Sequence, residues 1–130
     1  MDVAIDLRKD GNINDPKRIL VRNAEKNNCS AYYGNYEISG RRRAITRNHY
    51  VLTFTFPKNE QNIIKFIHFV KKETSARIEM IAFEQGKYEL LYASRKYMTL
   101  MEGEMVKKYI KTKHDLLYGE YKNIVNEVRK

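Results

Sequence analysis

The most constraining feature of the chain is a strand-forming segment, HYVLTFTF at residues 49–56, which a proline separates from a helix-forming segment. Large apolar residues alternate there with β-branched ones, so both sides favour a strand and predict an interior position in a sheet. KNEQNIIKFIHFVKKE follows Pro57, with Asn59 as its N-cap and apolar residues at helical spacing. The two neighbours predict a helix packed on a sheet.

The remaining segments extend this pattern. RIEMIAFEQGKYELLYAS predicts a β-hairpin that turns at residues 84–87, and a second helix is expected over 96–112, before a last amphipathic turn near Tyr121. Strands are expected at residues 31–38 and, in KRILVRN, at 17–23. The first 16 residues are expected to form a flexible arm or an edge strand. The order predicts an α+β fold: an antiparallel sheet backed by two main helices, of ferredoxin-like or RNA-recognition-motif type.

The net charge of the chain indicates which class of partner it could bind. With 130 residues the chain is expected to be a single domain, residues 1–130, and its net charge of +9 favours polyanions, with nucleic acid first and acidic protein surfaces second. The alternative is a basic protein whose charge only keeps it in solution.

The single cysteine, Cys29, excludes an internal disulfide and a cysteine-rich zinc site and is expected to be a partly buried small apolar residue. No metal and no cofactor are expected.

The apolar runs are too short for a membrane span, and the start MDVAIDLRKDG lacks the pattern of a signal peptide. We therefore expect an intracellular protein, cytoplasmic or nuclear, without a membrane partner. The chain is rich in Lys, Asn, Ile and Tyr, a composition associated with viral and mobile-element proteins of A/T-rich genomes.

Two basic clusters are candidate nucleic-acid-binding surfaces. In the first, arginines follow tyrosines, which suits single strands because bases stack on rings while guanidinium groups bind phosphates. The alternative is that the tyrosines fill the core and the arginines form a solvated turn. The second cluster consists of lysines around a predicted helix. The candidate residues are Arg41, Arg42, Arg43, Arg47, Tyr33 and Tyr36 in the first cluster, and Lys107, Lys108, Lys111 and Lys113 in the second.

Three motifs resemble those of the endonuclease domain of geminivirus-like and circovirus-like rolling-circle Rep proteins. HYVLTFTFP is similar to the family's Phe-Leu-Thr-Tyr-Pro motif, and FEQGK is similar to its Phe-Glu-Gly-Lys. VKKYIKTKHDLLYGEY, residues 106–121, is similar to its Val-Lys-x-Tyr-x-x-Lys motif with a later Gly-Glu-Phe, although residue 112 is threonine. The resemblance covers residues 48–121 and implies a Rep-like sandwich with Tyr109 at the position of the nucleophile.

The chain departs from that family at the metal site. Arg77-Ile78-Glu79 stands where the family has two histidines on one strand face, and arginine is not a metal ligand. The resemblance therefore favours a fold retained for binding over an enzyme. Tyr109 is interpreted as a core aromatic residue, with a nucleophile as the alternative.

The sequence thus predicts a small basic protein that binds nucleic acid, preferably single-stranded DNA or RNA. The first alternative is a protein-binding module or inhibitor that acts on an acidic partner surface, with a homodimer formed through an exposed strand edge. The second alternative is a tyrosine-dependent nicking endonuclease.

Overall fold

The computed structural model describes residues 1–7, 14–35, 51–57, 59–82, 90–95 and 121–130. Five strands form one antiparallel sheet, and three helices are defined in this part of the chain. The strands are β1 (Asp2–Asp6), β2 (Ala31–Asn35), β3 (Val51–Thr55), β4 (Arg77–Ala82) and β5 (Leu90–Ala93). The helices are α1 (Asn14–Lys26), α2 (Glu60–Glu73) and α3 (Lys122–Arg129). The predicted α+β class is confirmed.

The strand order in the sheet is β2-β3-β1-β4-β5, and each neighbouring pair is antiparallel. The element order β1–α1–β2–β3–α2–β4 is the split βαβ order of ferredoxin-like folds. β5 adds a strand beside β4. Buried residues of all three helices join one apolar cluster with the strands, which places the helices on one face of the sheet.

The strand and helix that flank Pro57 form as predicted. β3 pairs with β2 on one side and β1 on the other, so it is interior. The Asn59 side chain accepts a hydrogen bond from the Asn62 backbone N–H at 3.3 Å and caps α2. Phe66 of α2 is fully buried, with its ring centroid 5.0 Å from those of both Phe54 and Phe56. These aromatic contacts attach α2 to the sheet.

The expected strand at KRILVRN was wrong, because residues 14–26 form a helix. Leu20 and Ala24, one turn apart, are its buried positions, and Pro16 lies in the first turn, where it costs no hydrogen bond. Asn28 has a φ of 64° and ends the helix in a Schellman motif. In this motif the Cys29 N–H donates to Ala24 O at 2.9 Å, and the Asn28 N–H donates to Glu25 O at 3.1 Å.

The expected arm or edge strand at the N-terminal end was also wrong for residues 2–6. β1 is the middle strand of the sheet, paired with β3 and β4, and all five of its residues are buried. Val3 and Ile5 point to the helices, whereas Ala4 is buried on the opposite face. Two of the five residues are aspartates, which are uncommon in strands, so local residue preference does not indicate a central strand here.

The predicted hairpin and the last amphipathic segment are confirmed in their described parts. β4 pairs with β5, and α3 places Ile124 and Val125 in the core. The turn at residues 84–87 and the helix predicted over 96–112 lie outside the described residues. Among the described helices, none is both long enough and apolar enough to cross a membrane.

Polar contacts fasten the end of α3 to α2. The Lys71 ammonium donates to Glu127 O at 2.8 Å and to Val128 O at 3.2 Å, which satisfies carbonyls at the C-terminal end of the helix. His68 Nδ1 lies 3.2 Å from Glu127 Oε1, and Lys130 Nζ lies 3.6 Å from Glu127 Oε2. The hydrogen bond with His68 is the main reason why the pKa of Glu127 is lowered, and the charge of Lys130 adds to it.

This arrangement predicts a pH dependence of stability. A carboxylate with a lowered pKa in the folded state stabilises the protein above its unfolded-state pKa, and this contribution is lost as the pH falls through the folded-state pKa. We expect Glu127→Gln to lower the free energy of unfolding at neutral pH and to have little effect once the wild-type carboxylate is protonated. Urea unfolding of both proteins across the acidic range measures this difference. A difference that stays constant with pH would contradict the prediction.

Candidate nucleic-acid interface

Of the predicted binding residues, Tyr33 alone lies within the described part of the chain. It belongs to the edge strand β2, stands opposite Thr53 of β3, and is 51% exposed. The other predicted residues lie outside the described residues and stay predictions: Tyr36, Arg41, Arg42, Arg43, Arg47, Lys107, Lys108, Lys111, Lys113 and the catalytic candidate Tyr109.

The sheet face opposite the helices does not match a phosphate-binding surface. The strands carry three carboxylates, Asp2, Asp6 and Glu79, and one cation, Arg77. Asp6 is only 1% exposed, and Thr55 Oγ1 donates to Asp2 Oδ1 at 2.8 Å. Ala4, Met80 and Ala82 are buried on the same side. The middle of this face is therefore acidic and buried.

The cations of the described residues lie mainly on the helices. Exposed lysines and arginines occur on all three helices, where they outnumber the acidic residues. Within the described part of the chain, positive charge is therefore concentrated on the helices, away from the acidic face of the sheet. The exposed helical cations are Arg18, Arg22 and Lys26 on α1, Lys65, Lys71 and Lys72 on α2, and Lys122 and Arg129 on α3.

One group of these cations lines a groove between α1 and the edge strand β2. The groove has a volume of about 330 Å³. Along α1, two adjacent rows of side chains one turn apart form one wall, because residues four apart share a helix face. Tyr32 of β2 forms the other wall. The α1 residues that line it are Lys17, Val21 and Glu25 in one row, and Arg18 and Arg22 in the other. We call this feature the α1–β2 groove.

The aromatic wall of the α1–β2 groove is supported by the core. Tyr32 is 44% exposed, and its ring centroid lies 6.0 Å from that of the buried Phe54 at an interplanar angle of 35°. Phe54 in turn contacts Phe66 of α2. Tyr32 and Tyr33 point to opposite faces of β2, because side chains alternate along a strand. Tyr32 therefore combines an exposed ring with cationic neighbours.

The turn between α1 and β2 lies at the C-terminal end of α1, so this end of the groove is the one that the chain joins to Tyr32. Cys29 Sγ donates to Ala31 O at 3.1 Å, and partial burial raises the pKa of this thiol. Glu25 lies at this end, because its carbonyl oxygen accepts a hydrogen bond from the Asn28 N–H at 3.1 Å. Arg18 lies nearly two turns away. Cys29 is partly buried and packs against the core, which confirms the prediction for this residue.

The described residues of the Rep-like motifs differ in burial and in their contacts. Leu52 and Phe54 are buried in the core, and Pro57 is exposed. Arg77 is exposed, whereas Glu79 is the extra residue of a β-bulge in β4, is 1% exposed, and accepts a hydrogen bond from Ser94 Oγ. No group of three or more His, Cys, Asp and Glu side chains that could hold a metal ion occurs among the residues described.

The sequence analysis missed the cationic groove residues of α1 because it assigned residues 17–23 to a strand. Lys17, Arg18 and Arg22 share one surface only on a helix. Two signals indicate that helix: Asp15-Pro16 at its start and Asn28 at its end.

Comparisons of the chain with protein families, with curated proteins and with solved structures gave no match.

Proposed function

We propose that this protein binds single-stranded nucleic acid and that the α1–β2 groove is one of its contact surfaces. The observation that carries the proposal is the combination of Lys17, Arg18 and Arg22 with the half-exposed ring of Tyr32. Cations bind the phosphates of any sequence, whereas an exposed ring offers a stacking surface only to a base that has left the duplex. Together these features favour a single strand.

The arginine-rich segment belongs to the same proposal. Arg41, Arg42, Arg43 and Arg47 come 6 to 12 residues after the end of β2 in the chain, and β2 carries Tyr32. The arginines are proposed as further phosphate contacts, because guanidinium groups bind phosphate oxygens in pairs.

The proposal is tested by the salt dependence of binding. Fluorescence anisotropy with a labelled strand of about 20 nucleotides should show log affinity falling linearly with log salt, by about 0.7 for each phosphate contact. Three groove contacts alone give a slope of about −2 by this relation. A weak dependence on salt, with tight binding to an acidic protein surface instead, would favour the protein-binding alternative.

Two adjacent tyrosines give a matched test of stacking. We expect Tyr32→Leu to weaken single-strand binding by about 1–3 kcal/mol without changing the salt slope, because stacking releases no counterions. Tyr33→Leu removes a slightly more exposed ring from the opposite face of the same strand and should have a smaller effect. Anisotropy with the same labelled strand measures both, after circular dichroism has shown that each variant is folded. The reverse order would move the stacking surface to Tyr33, the residue that the sequence suggested.

A further inference from the structure

We infer that the α1–β2 groove selects guanine and that Glu25 is the residue that reads the base. This inference rests on the proposed binding of single strands and adds a base preference to it. Its starting point is a carboxylate in a groove lined by three cations. A negative charge beside bound phosphates weakens their binding, so Glu25 has no use in a site that holds only the backbone.

The position of Glu25 along the groove fits contact with a base. Glu25 lies at the end where α1 turns into β2, since its carbonyl oxygen accepts from the Asn28 N–H, and Tyr32 follows seven residues after Glu25 in the chain. Arg18 lies seven residues before Glu25, which corresponds to about 10 Å along the helix axis. This separation is comparable with the distance from the phosphate of one nucleotide to the far edge of its base. A nucleotide can therefore place its phosphate near Arg18 and its base edge near Glu25.

The chemistry of a carboxylate then selects among the bases. An ionised carboxylate only accepts hydrogen bonds, and its two oxygens accept two adjacent donors best. The Watson–Crick edge of guanine presents two adjacent donors, the N1–H and the 2-amino group. Adenine and cytosine place an acceptor beside their amino group, and thymine places its N3–H between two carbonyl oxygens. Only guanine meets both carboxylate oxygens without an opposing acceptor.

Stacking and pairing act together in this arrangement. Phe54 supports the Tyr32 ring at a centroid distance of 6.0 Å, so a stacked base is held in a defined plane. Glu25, on the facing helix wall, reaches the edge of that base. The Watson–Crick edge is accessible only when the guanine is unpaired, which agrees with binding of a single strand.

The test uses labelled strands of about twelve thymidines that carry dG, dA or dC at one central position, with the all-thymidine strand as reference. Fluorescence anisotropy should show the dG strand bound about tenfold more tightly than the other three, the lower part of the range for a bidentate base contact. Glu25→Gln should abolish this preference and raise the affinity for the all-thymidine strand, because a negative charge leaves the groove. Glu73→Gln removes an exposed carboxylate from α2 and should keep the preference.

Two results separate this inference from the proposed function. If all four strands bind with a steep salt dependence but equal affinity, or if the dG preference persists in Glu25→Gln, the inference fails and nucleic-acid binding stands. If none of the strands binds, the proposed function fails, and the base preference fails with it.

Discussion

Replacing Lys17, Arg18 and Arg22 together by glutamine is expected to flatten the log-log salt slope of single-strand binding by about 2, if each side chain meets one phosphate. The three residues line one groove, so they can contact one strand at the same time. The affinity at low salt should fall most, because counterion release contributes most there. A salt series by fluorescence anisotropy with the wild type and the variant measures both quantities.

A second triple variant controls for the general loss of positive charge. Lys65, Lys72 and Arg129 are exposed on α2 and α3, outside the groove, and their replacement by glutamine removes the same formal charge. This control should change the slope much less than the groove variant does. Equal changes in both would show that charge acts through the whole molecule. An unchanged slope in the groove variant would leave the two predicted basic clusters as the remaining candidates: Arg41, Arg42, Arg43 and Arg47, and Lys107, Lys108, Lys111 and Lys113.

Phe66→Ala is expected to lower the free energy of unfolding by about 3–5 kcal/mol. The Phe66 side chain is fully buried and contacts the rings of Phe54 and Phe56, so its removal leaves a cavity between α2 and the sheet. Since Phe54 also supports Tyr32, the groove wall should lose order in the same variant. Urea unfolding followed by circular dichroism measures the loss of stability.

The same substitution three residues later is the matched control. Phe69 is on the same helix and only partly buried against the core, so Phe69→Ala should cost less than Phe66→Ala. A similar cost for both would mean that the contacts between Phe66 and the β3 rings do not determine the packing of α2.

The sequence predicted the elements in which local preference and burial agree. β3 and α2 alternate or repeat their apolar residues at the period of the structure that they form, and Asn59 marks the start of the helix. β1 and α1 were missed because local and tertiary signals conflict in them. Asp2 and Asp6 disfavour a strand, yet pairing with two neighbours makes β1 central. In α1, the β-branched Ile19 and Val21 favour a strand, whereas the burial of Leu20 and Ala24 follows a helix.

The sequence indicated the kind of ligand that the candidate site would bind, but it did not indicate where the site lies in the fold. The net charge and the tyrosine-rich segment indicated a partner with phosphates and bases. The choice between Tyr32 and Tyr33 depends on which face of β2 lies beside α1, and this follows from the pairing register with β3. Lys17, Arg18 and Arg22 could be grouped only once their segment was known to be helical.

The central place of β1 affects the order in which the chain can fold. Its hydrogen-bonding partners come much later in the sequence: Asp2 is linked to Thr55, 53 residues further along, and its other neighbour in the sheet is Ala82. During synthesis the backbone of β1 therefore cannot form its sheet hydrogen bonds until β3 and β4 have left the ribosome. Sheets with such distant strand pairings fold slowly, and an unpaired β1 could meanwhile form non-native strand pairs. Its two aspartates oppose association of nascent chains through this strand.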